Sequence, residues 1–132
     1  MARSKIVTIA RLKKQLDEAF KKFIRNRDAL GSVFVCISCG EVKGLDQMHA
    51  GHFWSAGKYT AVRWNEDNVH GQCIACNMFL HGNLYKYSQR LKEKIGEERF
   101  KALEAEAHKS VKLDREWLQQ RITHYRSLIS SL

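Results

Sequence analysis

The chain has 132 residues, 44% of them apolar, and a formal net charge of +9, which suits one small domain, 1–132, with a modest core. No apolar stretch approaches the length that crosses a bilayer, which excludes a membrane span. Its four cysteines form two CxxC pairs and no signal-like apolar run follows Met1, so zinc in a reducing cytoplasm is expected in place of secreted disulfides.

In chain order, Thr8 caps an expected helix that runs to about Leu30 (8–30). Leu12, Leu16, Phe20, Phe23 and Ile24 fall at helical spacing, and Gly31 stops it. Val33–Val35 reads as a short strand delivering Cys36, with Cys39-Gly40 as a tight knuckle turn. Gln47–Trp54 reads as a strand, Ser55–Thr60 as a loop, and Ala61–Trp64 as a returning strand closed by Asn65–Asn68. A helix is expected from Cys73 to His81-Gly82, which sets Asn77 and His81 on one face. Helices are expected over Leu84–Ile95, Glu97–His108 and Asp114–Ser130, with the first seven and last few residues frayed. Leu113, Trp117, Leu118 and Ile122 read as core or the seam of a homodimer.

Cys36, Cys39, Cys73 and Cys76 supply the four thiolates of a closed structural zinc site, with 33 residues between the pairs pinned at both ends. Within and just after that span lie His49, His52, Asn68, Asn77 and His81. These imidazole and amide groups suit a second, catalytic divalent ion, Mg2+ or Mn2+. His49, Asn77 and His81 are its candidate ligands.

The charge is uneven. Residues 1–35 hold nine Lys/Arg against three Asp/Glu (+6), residues 36–83 three against four (−1), and residues 84–132 eleven against seven (+4). Basic flanks around a near-neutral centre are what a bound polyanion requires. Lys13, Lys14, Lys21, Lys22, Arg25, Lys58, Arg63, Lys86 and Arg90 are the candidate DNA contacts, the alternative being solvated helix faces. Trp54, Tyr59 and Trp64 are candidates for stacking on exposed bases, with two of the three expected to be packed.

Hydrolysis of a phosphodiester needs a base to activate water and a cation to stabilise the developing charge. His52, beside Gly51 on a strand, is the candidate base. Asn68 is expected to orient the loop and His52 by hydrogen bonds, Arg63 to clamp the scissile phosphate, and His70 to contact the knuckle.

A strand with a histidine, a turn, a strand followed by an asparagine, and a helix with further ligands together resemble the HNH, or ββα-metal, nuclease motif. His52, Asn68 and Asn77 or His81 fill its three positions. More narrowly, Ala50-Gly51-His52-Phe53, Arg63 to His70, Gln72-Cys73 and Cys76-Asn77 with Gly82-Asn83 resemble the phage NinG (Rap) recombination endonucleases. His49 and His81 depart from the residues usual in that family, a shift toward imidazole that favours zinc, nickel or manganese over magnesium. The resemblance implies an α+β fold, a zinc-stabilised HNH core (33–83) between an amino-terminal helix and a helical carboxy-terminal part (84–132). It also implies a phage- or prophage-encoded, structure-specific DNA endonuclease in the bacterial cytoplasm, acting on Holliday junctions or D-loops. The rival reading is a non-catalytic zinc-dependent DNA-binding module, which needs the cysteines and the basic flanks but not His52. A protein-interaction adaptor using the last helices explains neither the histidines nor the charge.

Overall fold

A computed structural model of the chain describes residues 6–130, so most of the segments expected to fray lie outside it. The fold is mixed α+β. The order is α1 (Ile9–Asp28), β1 (Val33–Val35), β2 (Val42–Gly44), β3 (Met48–His52), β4 (Val69–Cys73), α2 (Leu84–Ile95), α3 (Glu97–Ala107) and α4 (Arg115–Ser130). The chain divides into two compact units, one drawn from its two ends, up to Phe23 and from Lys112, the other Ile24–Val111. No helix among the described residues is long and apolar enough to cross a membrane.

The helices form where periodicity and caps place them. Thr8 Oγ1 accepts the Arg11 N–H at 3.1 Å, and Asp114 Oδ1 accepts the Trp117 N–H at 2.8 Å, so α1 and α4 both start on a side-chain cap. In the terminal unit Leu12, Leu16, Ala19 and Phe20 of α1 and Leu118, Ile122 and Tyr125 of α4 are buried. Tyr125 meets Phe20 edge-on at 5.0 Å and Phe23 at 5.1 Å, an arrangement aromatic rings favour. Leu118 and Ile122 are thus interior within a single chain, whereas Trp117 of the same stripe is exposed and Leu113 half-buried. Gly96, at φ +88°, separates α2 from α3, a conformation glycine adopts without strain.

The central unit contains two small antiparallel ribbons, β1 with β2 and β3 with β4. Register pairs Met48 with Cys73, His49 with Gln72, Gly51 with His70 and His52 with Val69. Two expectations fail here. Residues 60–62 form a 3-10 turn, not a returning strand, and the strand that pairs with β3 is Val69–Cys73. Cys73 therefore ends a strand instead of opening a helix, and the turn that follows is a π-helical one, Ala75–Phe79.

Two apolar groups hold this unit together. Phe34, Met48 and the buried cysteines Cys36, Cys73 and Cys76 form one. Val62, Tyr87, Leu91, Ile95, Leu103 and Ala107 form the other, with Phe53, Trp54, Tyr59 and Phe100 packed against it. The fully buried Tyr87 hydroxyl donates to the Gly51 carbonyl at 2.7 Å, so α2 fixes the middle of β3. Burial also pushes the Tyr87 phenol well above its ordinary pKa.

Candidate functional site

The four sulfurs lie within 4.8 Å of one another, supplied by two knuckles. Cys39 Sγ and Cys73 Sγ are 3.9 Å apart, close to the roughly 3.8 Å between sulfurs around a tetrahedral zinc. The first knuckle closes with Gly40 N–H on the Cys36 carbonyl at 2.9 Å and Gly40 at φ +76°. Cys36 Sγ accepts N–H groups from Cys39 at 3.5 Å and Cys73 at 3.3 Å, and Cys76 Sγ accepts Asn83 Nδ2 at 3.5 Å. Burial acts to raise the Cys36 thiol, but these donors outweigh it and bring it to about 7. Burial raises Cys39, Cys73 and Cys76. N–H groups aimed at sulfur stabilise thiolates, the state a metal requires, so the cluster fits zinc.

The second group sits on the β3–β4 ribbon. Asn77 Nδ2, on the π-helical turn, donates to His49 Nδ1 at 3.0 Å, so these two candidates are brought together. His81 is not on a shared helical face. It lies beyond the turn, exposed, at φ +48°, because the helix expected to run through it stops at Phe79. His52 Nε2 donates to the Arg63 carbonyl at 2.8 Å, which leaves Nδ1 as the basic ring nitrogen. Asn68 is fully buried and staples the loop. Its Oδ1 accepts Trp54 N–H at 2.8 Å, and its Nδ2 donates to Trp54 O at 2.9 Å and Val62 O at 3.1 Å. Strand alternation sends His49 and His52 to opposite faces of the ribbon.

The profile of the family described as Bacteriophage Lambda NinG protein matches residues 2–132. The chain belongs to the NinG family. Protein ninG of Escherichia phage lambda is 38% identical over 92 residues, 70% of this chain and 43% of its own. Protein ninG of Salmonella phage P22 is 40% identical over 83 residues, 63% of this chain and 39% of its own. That of Escherichia phage 933W is 37% identical over 92 residues, 70% of this chain and 44% of its own. The chain thus spans less than half the length of these NinG relatives. No solved structure matches it.

For this NinG chain the basic candidates separate into two kinds. Lys14, Lys21, Lys22, Lys58 and Lys86 are exposed, and Lys13 is half-buried on the same helix as the first three. Others are committed to the protein itself. The Arg25 guanidinium donates to the carbonyls of Met48 and Leu45, Arg63 lies over the Trp64 ring at 4.9 Å, and Arg90 is pressed against Gly40 of the first knuckle. The stacking candidates are packed as well. Trp54 meets Tyr59 at 4.9 Å and His108 at 5.3 Å, and Trp64 is buried.

Sequence reasoning missed a partly buried polar network beside the ribbon, centred on buried His70. Asp28 accepts Gly71 N–H at 2.7 Å, Arg27 Nε at 2.8 Å and Lys94 Nζ at 3.2 Å. Burial acts to raise its carboxyl, but these partners hold it down at about 2. His70 donates Nε2–H to the Asp67 carbonyl at 2.8 Å, while Nδ1 faces Lys94 Nζ at 2.9 Å and Arg27 at 3.1 Å. Burial first, then Lys94 and Arg27, push His70 down to about 4. His70 is therefore a neutral linchpin between α1, β4 and α2, and the expected knuckle contact is replaced by this one. One signal was present: an acid, Asp28, at the carboxy-terminal end of a helix runs against the helix dipole and asks for a partner. Burial also lowers the Lys94 pKa.

Proposed function

We propose that this chain is a metal-dependent endonuclease that hydrolyses phosphodiesters in branched DNA, with residues 33–83 forming a zinc-stabilised ββα-metal core. The observation that carries this reading is the hydrogen bond of His52 Nε2 to the Arg63 carbonyl. It fixes the tautomer in which Nδ1 takes a proton from water, as a general base must. The Asn68 staples hold the loop that supplies that carbonyl. Asn68 thus acts on His52 through the backbone.

His49 Nδ1 and the Asn77 side-chain amide, already 3.0 Å apart, are the pair that would hold a divalent ion. An imidazole nitrogen with an amide oxygen suits Mn2+ better than Mg2+, with further positions open to water and phosphate. Bound there, the ion supplies Lewis-acid stabilisation of the developing charge. Met48, N-terminal to this pair, packs with Cys36, Cys73 and Cys76, so a metal held by the cysteines would also fix the ribbon under the site.

The family membership supports the recombination setting, and the +6 and +4 flanks support a polyanionic substrate. The opposite facing of His49 and His52 favours a second reading, a DNA-binding module without catalysis. Cleavage assays on linear, forked and four-way DNA, with Mg2+, Mn2+, Ni2+ or Zn2+ added, separate the two. Divalent-dependent cutting of branched substrates is expected. Tight binding without cutting under any ion would leave the binding module.

A further inference from the structure

We propose that the segment 78–85 is a stacking wedge: Phe79 and Tyr85 insert against the unstacked bases at the branch point, and through them the chain distinguishes branched from linear DNA. This deepens the endonuclease reading and rests on it for the class of ligand. Phe79 is 75% exposed and Tyr85 76%, and Met78, Leu80 and Leu84 beside them are exposed too. Five large apolar side chains in eight residues is more than isolated surface exposure, and contiguous exposed apolar surface marks a binding site.

The backbone holds this patch outward. The segment opens in the π-helical turn, and His81 and Asn83 both adopt positive φ, +48° and +46°. A β-carbon at either residue makes that conformation unfavourable, so neighbouring structure must impose it. Gly82 between them is buried, and its carbonyl accepts Ser38 Oγ at 3.0 Å and Gln72 Nε2 at 2.5 Å. The loop is thus anchored at its centre while its apolar side chains face away.

Three observations select nucleobases as the occupant. First, no Asp or Glu occurs in the chain between Asp67 and Glu93, and Lys86 beside the patch is exposed, so the segment carries positive and no negative charge toward a polyanion. Second, the patch presents two aromatic faces, and any base can stack on one. The other large rings of this unit are engaged, Phe53 with Tyr87 at 5.3 Å and Phe100 at 5.7 Å, Trp54 with Tyr59 at 4.9 Å. Third, Phe79 is two residues from Asn77, which touches His49, so a base unstacked on Phe79 sets the adjoining phosphate near that pair. Inside an intact duplex both faces of each pair are stacked; at an open four-way junction the pairs at the branch point are unstacked on one face, and apolar wedges act on DNA at such weakened steps.

The test compares the protein with Phe79→Ser/Tyr85→Ser, measuring anisotropy of a four-way junction and of linear duplex without added divalent ion, emission of 2-aminopurine placed at the branch, and cleavage with Mn2+. Zinc content and the thermal melt check that the exposed substitutions leave the fold intact. Expected are a junction preference in the wild type, a drop of about tenfold or more in junction affinity for the double variant, unchanged duplex affinity, and a 2-aminopurine response that disappears. Phe79→Tyr/Tyr85→Phe should retain all of these. An undiminished preference in the double variant, an equal loss on duplex and junction, or no preference in the wild type overturns the wedge. So does a wild-type dimer that the double variant abolishes, or anionic-vesicle binding that disappears in its place. If the wedge residues govern junction binding but no DNA is cut, the nuclease reading alone fails; if DNA is cut and binding is indifferent to them, the wedge alone fails.

Discussion

A β-carbon at Gly51 would stand 2.0 Å from Gln72 Oε1, so the amide of Gln72 fills the space a side chain at 51 would need. Gln72 cannot easily withdraw, because its Nε2 is bonded to Ser38 Oγ at 2.9 Å and the Gly82 carbonyl at 2.5 Å. Gly51→Ala should therefore destabilise by about 1–3 kcal/mol through overpacking. Gln72→Ala in the same chain should recover part of that loss, since the two changes share one space. Urea midpoints of the two single variants and the double check the coupling; strict additivity would show that Gln72 is not the obstacle.

Zinc removal is the second expected perturbation. Four thiolates that join β1 to the turn after β4 couple metal binding to folding, so one zinc per chain should copurify and a strong chelator should melt the central unit. Cys73→Ser should give the same loss. A cooperative melt indifferent to chelator would exclude a structural metal.

His52→Ala should lower the cleavage rate by about a hundredfold or more, the usual scale for a positioned base, with DNA affinity retained. Asn77→Ala should also slow cleavage but recover partly at high Mn2+ if its defect is ion affinity. Cutting at the wild-type rate by His52→Ala would remove His52 from the chemistry.

Acid should destabilise the protein in two windows. Unfolded His70 binds a proton below its ordinary 6.5, whereas the folded residue resists until about 4. Stability therefore falls as pH drops across that window, by about 1.4 kcal/mol per pH unit at most. Asp28 adds a further loss between 3.8 and about 2, because its carboxylate is favoured in the folded state. The slope of the urea midpoint between pH 7 and 5 should flatten in His70→Gln, with zinc retention followed in parallel because thiolates also titrate.

DNA affinity should fall steeply with salt, and changing Lys13, Lys14, Lys21 and Lys22 together to Ala should flatten that dependence by about 0.9 for each phosphate no longer neutralised. An unchanged salt slope would take α1 out of the interface.

How much was legible follows from the kind of signal each part carries. The helices announce themselves by long apolar periodicity and by Gly31 and Gly96, and α1, α2, α3 and α4 lie within two residues of expectation. The four-cysteine cluster was legible because all four residues obey a short spacing. Strand β4 was not. Val69-His70-Gly71-Gln72-Cys73 is buried along its whole length, but two of its buried residues are polar and one is glycine, so neither alternation nor β-branching marks it. Ala61–Trp64 carries more strand-like residues, and the strand was therefore expected there. The Asp28–His70–Lys94 network joins residues far apart in sequence, where no local pattern operates. The positive φ of His81 broke the shared face inferred for it with Asn77.

The sulfur cluster has a topological consequence. By drawing Cys36 and Cys39 to Cys73 and Cys76, it makes the intervening stretch a ring, cinched again at its waist by the β3–β4 ladder. The far end of the ring, at Gly57 and Lys58, is exposed, and a β-carbon at Gly57 would meet nothing within 4 Å. Closing a longer ring costs only about 0.6 kcal/mol per doubling of length. Length variation, or a folded reporter grafted into the chain, should thus enter at Gly57 and leave the four-cysteine base of the ring undisturbed.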